Sequence, residues 1–210
     1  SELWTYSPKH ALPYLKYTAD PGYCHIYSVD LVPSIFDVSI GGFPATTKTA
    51  DSWKTVLIGG MRFGGACADT ATSYQVQTPA SGKGYSSYFA LDITDPANPQ
   101  VLWEFSNETI AALYPGDLAV GGAGGLGFTT TGPALIRTGA KDKNGRWFVV
   151  FASGPTGPID TKTHQFTGYS DQNLKFYIID LANGPTAGNI WRVNTGIQNA
   201  FAGSLQSSPI

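Results

Sequence analysis

The sequence predicts an all-β fold, a partial β-propeller of about two four-stranded antiparallel blades with a flanking strand at each end. Three observations carry that reading. Only 13% of the 210 residues are charged while 13% are aromatic, and 25 Gly with 14 Pro punctuate the chain. Many turns, many aromatics and few charges suit short strands packed face to face. Residues 88–105, YFALDITDPANPQVLWEF, hold two β-prone runs across a turn rich in Asp, Pro and Asn, the pattern of an antiparallel hairpin. The same unit recurs at residues 176–193, and in both copies the Trp follows the Asp by 11 positions, Asp92 to Trp103 and Asp180 to Trp191. Equal spacing in hairpins 88 residues apart marks an internal repeat.

Residues 2–6 match Leu102-Trp103-Glu104-Phe105 and read as the last strand of a preceding hairpin. A short helix is expected over residues 8–15, with Ser7 as N-cap and Pro8 in the first turn. Asp20-Pro21-Gly22 is a turn. The first round then takes a strand led by Pro33, a strand led by Trp53, a long insertion over residues 59–87, and the Asp92-to-Trp103 hairpin. A helical turn near residues 109–113 and a Gly-rich loop over residues 116–127 follow. The second round opens at Gly132-Pro133. It turns through Asn144-Gly145, a hairpin signal, and runs on through the strand led by Trp147 to the Asp180-to-Trp191 hairpin. Ser208-Pro209-Ile210 reads as the opening of a third round. Four strands per round, repeated in sequence, is the logic of propeller blades; a two-sheet sandwich also holds eight strands but does not require equal Asp-to-Trp spacing. The whole of residues 1–210 thus reads as part of one propeller domain, with blade-like units at about 28–106 and 128–195 and flanking strands at 2–6 and 206–210.

Net charge is −2 and the 13 Lys and Arg are scattered, so the basic footprint of a nucleic-acid binder is missing. No apolar run is long enough for a membrane helix. The chain opens on Ser1-Glu2-Leu3-Trp4, which reads as a processed protein or a piece of a longer one. Low charge with abundant Tyr, Thr, Ser and Gly suits an exported protein. Cys24 and Cys67 fit neither a CxxC redox pair nor a zinc site, and their spacing leaves a disulfide and two free thiols both open.

Trp53-Lys54-Thr55-Val56-Leu57-Ile58-Gly59-Gly60, the Tyr-Phe-Ala-Leu-Asp-x-Thr-Asp-Pro string ending at Pro96, and Leu102-Trp103-Glu104-Phe105 resemble the signature of PilY-type proteins, the type IV pilus biogenesis and tip-associated adhesins. Glu2-Leu3-Trp4-Thr5-Tyr6-Ser7-Pro8 and Trp147-Phe148-Val149-Val150-Phe151 resemble the same propeller. The resemblance implies a modified propeller at the pilus tip, cell surface or periplasm, supporting pilus assembly, surface attachment and twitching motility. Its implied partners are minor pilins or other pilus-tip subunits, further chain of the same protein, and a host or surface ligand. The family's calcium loop, of the Asp-x-Asp-x-Asp-Gly kind, does not occur in these residues. Asp142-Lys143-Asn144-Gly145 has too few oxygen ligands and reads as a turn, so calcium is expected elsewhere in the family's chain and no cofactor in this segment.

Asp92 and Asp180 read as strand ends that accept hydrogen bonds from the turn that follows. Trp103 and Trp191 read as aromatics filling the gap between blades, with Trp53 and Trp147 as equivalent markers of the second strand. His10, His25 and His164 lie in separate segments without a nearby carboxylate or Cys. No Gly-x-Ser-x-Gly elbow occurs, and the glycines at 121–125 lack the Lys-Ser/Thr of a phosphate loop. The chain therefore reads as a non-enzymatic surface protein. The alternative is a fragment of a quinone-cofactor dehydrogenase propeller, whose hairpins also use Ala-x-Asp and Trp.

Overall fold

A computed structural model describes residues 2–19, 21, 28–42, 47–63, 86–118, 125–156, 159–160, 165–166 and 169–207. Two four-stranded antiparallel sheets dominate it. Sheet 1 is a plain meander of β1 (Ser34–Val38), β2 (Lys54–Gly60), β3 (Ser87–Asp92) and β4 (Gln100–Ser106). A one-residue register shift between Ala90 and Leu91 bends the last hairpin. The helix α1 (Asn107–Leu113) follows directly, capped by the Ser106 hydroxyl, which accepts from the Glu108 amide at 3.2 Å. Sheet 2 repeats the meander with β5 (Ala134–Thr138) and β6 (Arg146–Ala152), then a small ribbon of β7 (Ile159–Asp160) and β8 (Gln165–Phe166). It closes with β9 (Lys175–Asp180) and β10 (Ile190–Asn194), in the order β5-β6-β9-β10. In both rounds the long insertion falls between the second and third strands.

The registers align the two rounds. Asp92 pairs with Val56 and Asp180 with Phe148; Trp103 pairs with Ala90 and Trp191 with Ile178, each two residues before its Asp. The sheets pack face to face, and the contact is head to tail. The face of sheet 1 that carries Tyr88, Ala90 and Trp103 meets the face of sheet 2 that carries Phe151, Tyr177 and Ile179. Those faces are opposite ones in the repeat, since Trp191 and Ile178 point away from sheet 1. A sandwich would close on itself; an interface that joins one face to the other's back propagates by rotation, as blades do.

The seam is aromatic. Tyr88 stacks on Phe151 with centroids 3.9 Å apart, Phe105 meets Tyr177 edge-on at 5.2 Å, and Trp103 meets Phe151 edge-on at 6.4 Å. Such pairs add about 0.5–1.5 kcal/mol each to the burial of their area. Tyr88, Phe105, Phe151 and Tyr177 are fully buried. The Tyr88 hydroxyl donates to the Thr131 carbonyl at 2.9 Å, so the phenol's polar end is satisfied within the seam.

Several sequence expectations change. Residues 2–6 make no strand: they lie across the face of sheet 1 instead of along an edge, and so have no ladder to join. The helix expected over residues 8–15 is a 3-10 helix at Leu12–Ala19, because Pro13 disfavours α geometry at Leu12 and helical turns start best at a proline. Residues 206–207 are not a strand, and residues 208–210 lie outside the described residues. So do Cys24, Cys67, His25 and His164.

Candidate functional site

The two aspartates do the same local work. Asp92 Oδ1 accepts from the Thr94 amide at 2.9 Å and the Thr94 hydroxyl at 2.5 Å, while Oδ2 lies 3.2 Å from Lys54 Nζ. Asp180 Oδ1 accepts from the amides of Ala182 and Asn183, both at 3.1 Å, and Oδ2 takes Arg146 Nε at 3.0 Å and Nη2 at 2.7 Å. Each carboxylate folds the turn after its strand and ties it to the start of the neighbouring strand. Burial pushes the Asp92 carboxyl up, but the Thr94 hydrogen bonds and the Lys54 ammonium outweigh it and hold it below its ordinary value.

Lys54 and Arg146 stand two residues before Val56 and Phe148, the partners of the two aspartates. They are the equivalent positions of the second strands, and the sequence reading passed over them. Trp53 and Trp147 are not equivalent. Trp53 lies just before β2, 39% exposed, under Lys48. Trp147 lies inside β6, buried, its indole N–H donating to Ser39 Oγ at 3.3 Å. Measured from the paired Asp they are offset by two residues, so the shared Trp was a coincidence of spelling. The cation beside each Trp, after Trp53 and before Trp147, was the signal.

Trp103 and Trp191 share a register and differ in surroundings. Trp103 is 7% exposed; its N–H donates to the Leu181 carbonyl at 3.0 Å, in the turn between β9 and β10. Gly184, at φ +70°, sits beneath the ring, where a Cβ would lie 2.9 Å from the indole. Trp191, expected to fill a gap between blades, is instead 40% exposed, because no described residue faces it from beyond sheet 2. With Ile136, Arg146, Phe148 and Ile178 it lines an open cavity of about 220 Å³.

The back of sheet 1 is covered differently. Tyr6 packs on Phe89 at 4.9 Å and its hydroxyl donates to Glu104 at 2.5 Å, while the Trp4 N–H donates to the Pro96 carbonyl at 2.9 Å. Trp4 and Tyr6 thus rest on sheet 1 as Trp103 and Phe105 rest on sheet 2. Phe89 and Tyr177, three residues before their Asp, are the receiving rings. Gly59 leaves the space the Phe89 ring occupies: a Cβ there would lie 2.4 Å from it.

A buried polar cluster at one end of sheet 2 was not legible in the sequence. Asp117 binds the Arg192 guanidinium and lies 3.4 Å from the Tyr177 hydroxyl. Burial, then the Asp117 carboxylate, pushes the Tyr177 phenol up. Lys175 is buried against the Gln172 side chain at 3.0 Å, and burial lowers its amine. Among the described residues no three His, Cys, Asp or Glu side chains gather as metal ligands do, and no helix is long and apolar enough to cross a membrane.

These surfaces are built to dock other sheets and segments. A type IV pilus biogenesis factor PilY1 homolog of Xylella fastidiosa is 26% identical over 214 residues, taking in 100% of this chain and 13% of the relative. PilY1 of Pseudomonas aeruginosa strain PAK, also a type IV pilus biogenesis factor, is 32% identical over 165 residues, 78% of this chain and 9% of its own length. The chain is a relative of the PilY1 pilus biogenesis factors. It therefore spans a small part of the curated relatives it matches. No family model matches it. The crystal structure of the Pseudomonas aeruginosa PilY1 C-terminal domain covers 97% of this chain, and the chain covers 29% of that domain, at 22% identity and TM-score 0.47. In this PilY1 relative, Asp92 of the resembling strings lies at the β3–β4 turn, Trp103 and Phe105 lie in the seam, and Trp4 and Tyr6 lie on the back of sheet 1.

Proposed function

We propose that this chain is a propeller segment of an exported pilus biogenesis protein that works at the pilus tip, cell surface or periplasm. In this reading it supports type IV pilus assembly and surface adhesion without catalysing a reaction. The blade units are residues 28–106 and 128–195. The end-to-end match to a PilY1 homolog carries the reading. The arrangement of the two sheets supports it: Asp92 and Asp180 tie turns, Trp103 fills the seam, and the apolar surface left over around Trp191 is suited to protein contacts. The partners proposed are minor pilins or other pilus-tip subunits, further chain of the same protein, and a host or surface ligand.

The test is genetic. A strain lacking the full-length protein should lose surface pili, twitching spread and attachment, and regain all three when the intact gene is supplied. Normal piliation and normal attachment in the deletion strain would overturn the proposal.

A further inference from the structure

Arg62 has a left-handed backbone, at φ +54°, where glycine is the usual occupant and a residue with a Cβ is uncommon. Glycines stand close by at 59, 60, 64 and 65, yet this position holds arginine. Its surroundings pin it. The Arg62 amide donates to Thr129 Oγ1 and its carbonyl accepts from Ser86 Oγ, both at 2.8 Å. The guanidinium carbon lies 5.5 Å from the centre of the Phe63 ring, which in turn packs on Phe128 at 5.3 Å. A strained residue held on every side points to a use for its side chain.

Arg62 lines a cleft of about 400 Å³ between the segments that lead into β1 and β5 and the chain at residues 204–205. Asp30 lines it too, and Leu31, Val32, Pro133 and Leu205 give it apolar walls. The Leu31 amide donates to the Gly60 carbonyl at 3.2 Å and the Leu205 amide to the Gly132 carbonyl at 3.3 Å, so the walls are tied to both sheets. Val32 is 80% exposed. The cleft shares no lining residue with the cavity at Trp191.

The two charges are held loosely. Arg62 Nη1 lies 3.4 Å from Asp30 Oδ2, and among the described residues this is the one side-chain hydrogen bond of a guanidinium with five N–H donors. Both side chains are open to solvent, 48% and 44%, and an ion pair so exposed contributes little. A ligand can exchange it with little loss. The guanidinium fork matches a carboxylate or a phosphate. Asp30 decides between them, because it would repel a dianion and accept an N–H. Among the described residues no aromatic ring lines the cleft, so it offers no platform for a sugar or a base.

We infer that this cleft binds a peptide through a carboxylate. The Arg62 fork takes the two carboxylate oxygens, Asp30 accepts a neighbouring peptide N–H, and an aliphatic side chain of the peptide lies against Val32, Pro133 and Leu205. The carboxylate belongs either to a chain terminus or to an acidic side chain.

Isothermal titration calorimetry on the full-length protein tests it with three N-acetylated peptides. These are Ala-Ala-Val-Leu as the free acid, the same peptide as its C-terminal amide, and Ala-Asp-Val-Leu as its C-terminal amide. At least one of the two peptides that carry a carboxylate should bind saturably, the first identifying a chain terminus and the last a side chain. The peptide without a carboxylate should bind at least about tenfold more weakly, the share of one charge-assisted hydrogen bond. Arg62→Gly and Arg62→Gln should each lose the same factor. The glycine variant also eases the left-handed backbone, so weaker binding with an unchanged or higher melting temperature assigns the loss to the guanidinium. Equal binding of all three peptides, no saturable binding of either carboxylate peptide, or wild-type affinity in both variants would overturn the inference.

Discussion

β3 and β9 hold the same place in their sheets and end on the same residue, yet they are buried differently. Tyr88, Phe89, Ala90 and Leu91 are all buried, so β3 is covered on both faces. Along β9 the pattern alternates, with Tyr177 and Ile179 buried and Phe176 and Ile178 half-buried, so β9 is covered on one. Trp103 and Trp191 show the same contrast on the neighbouring strands. Register decides which way a side chain points, but the next layer decides what it is worth. A repeat therefore tells where a residue sits and leaves its energetic weight to its neighbour.

The sharpest break of that comparison is truncation of the two tryptophans. Trp103→Ala removes a buried ring and an inter-sheet hydrogen bond, and should cost about 3–5 kcal/mol. Trp191→Ala, made in the same residues 1–210, removes a half-exposed ring and should cost no more than about 1 kcal/mol. Urea denaturation of both variants checks it. Equal losses would mean that Trp191 is as deeply packed as Trp103 and that the faces are alike.

The receiving side of the seam gives the next largest effect. Gly184→Ala sets a Cβ against the Trp103 ring at a left-handed backbone position, and should cost about 1–3 kcal/mol. Gly188→Ala, also at positive φ but with nothing within 4 Å, separates the two causes. If both variants lose the same stability, backbone strain alone explains the loss and Trp103 does not press on the turn.

Much of this was legible in the sequence. The hairpins, the four-strand rounds and the turn-forming aspartates rest on local chemistry: β-prone runs, Asx acceptance and a fixed Asp-to-Trp interval. What was not legible depended on what lies across a gap. Trp4 and Tyr6 match a strand in spelling, but their backbone finds no edge, so only their side chains behave as the repeat suggests. The Trp53–Trp147 pairing failed because a large aromatic stands out more than a cation, although Lys54 and Arg146 hold the true register. The Asp117–Arg192 contact joins residues 75 apart through a fold no local pattern encodes.

Those two cations extend the comparison between the sheets. Asp180 is 2% exposed and takes two bonds from Arg146, so Arg146→Ala leaves a buried carboxylate short of partners at a cost of about 1–3 kcal/mol. Arg146→Lys should recover only part of it, since one ammonium cannot supply the paired donors. Thermal melts of both variants check this, and full recovery by Lys would mean that charge alone matters.

Lys54→Ala should give the smallest effect, about 0–1 kcal/mol, because Lys54 is more exposed than Asp92 and solvent screens the pair. Its pH dependence makes it measurable. The folded carboxyl of Asp92 lies below its unfolded value, so its contribution is fully present above about pH 4 and is lost as pH falls through the folded value. Thr94 still supplies two of the three groups that hold it down, so removing Lys54 should shrink the acid-linked loss without abolishing it. The difference between wild type and Lys54→Ala should then be largest near neutral pH and vanish in acid, where Asp92 is protonated in both. Stability measured by urea denaturation from pH 7 downward would show this. A difference that stays constant through acid would mean that Lys54 acts through its aliphatic stem on β2, and that only sheet 2 uses its cation as an ionic tie.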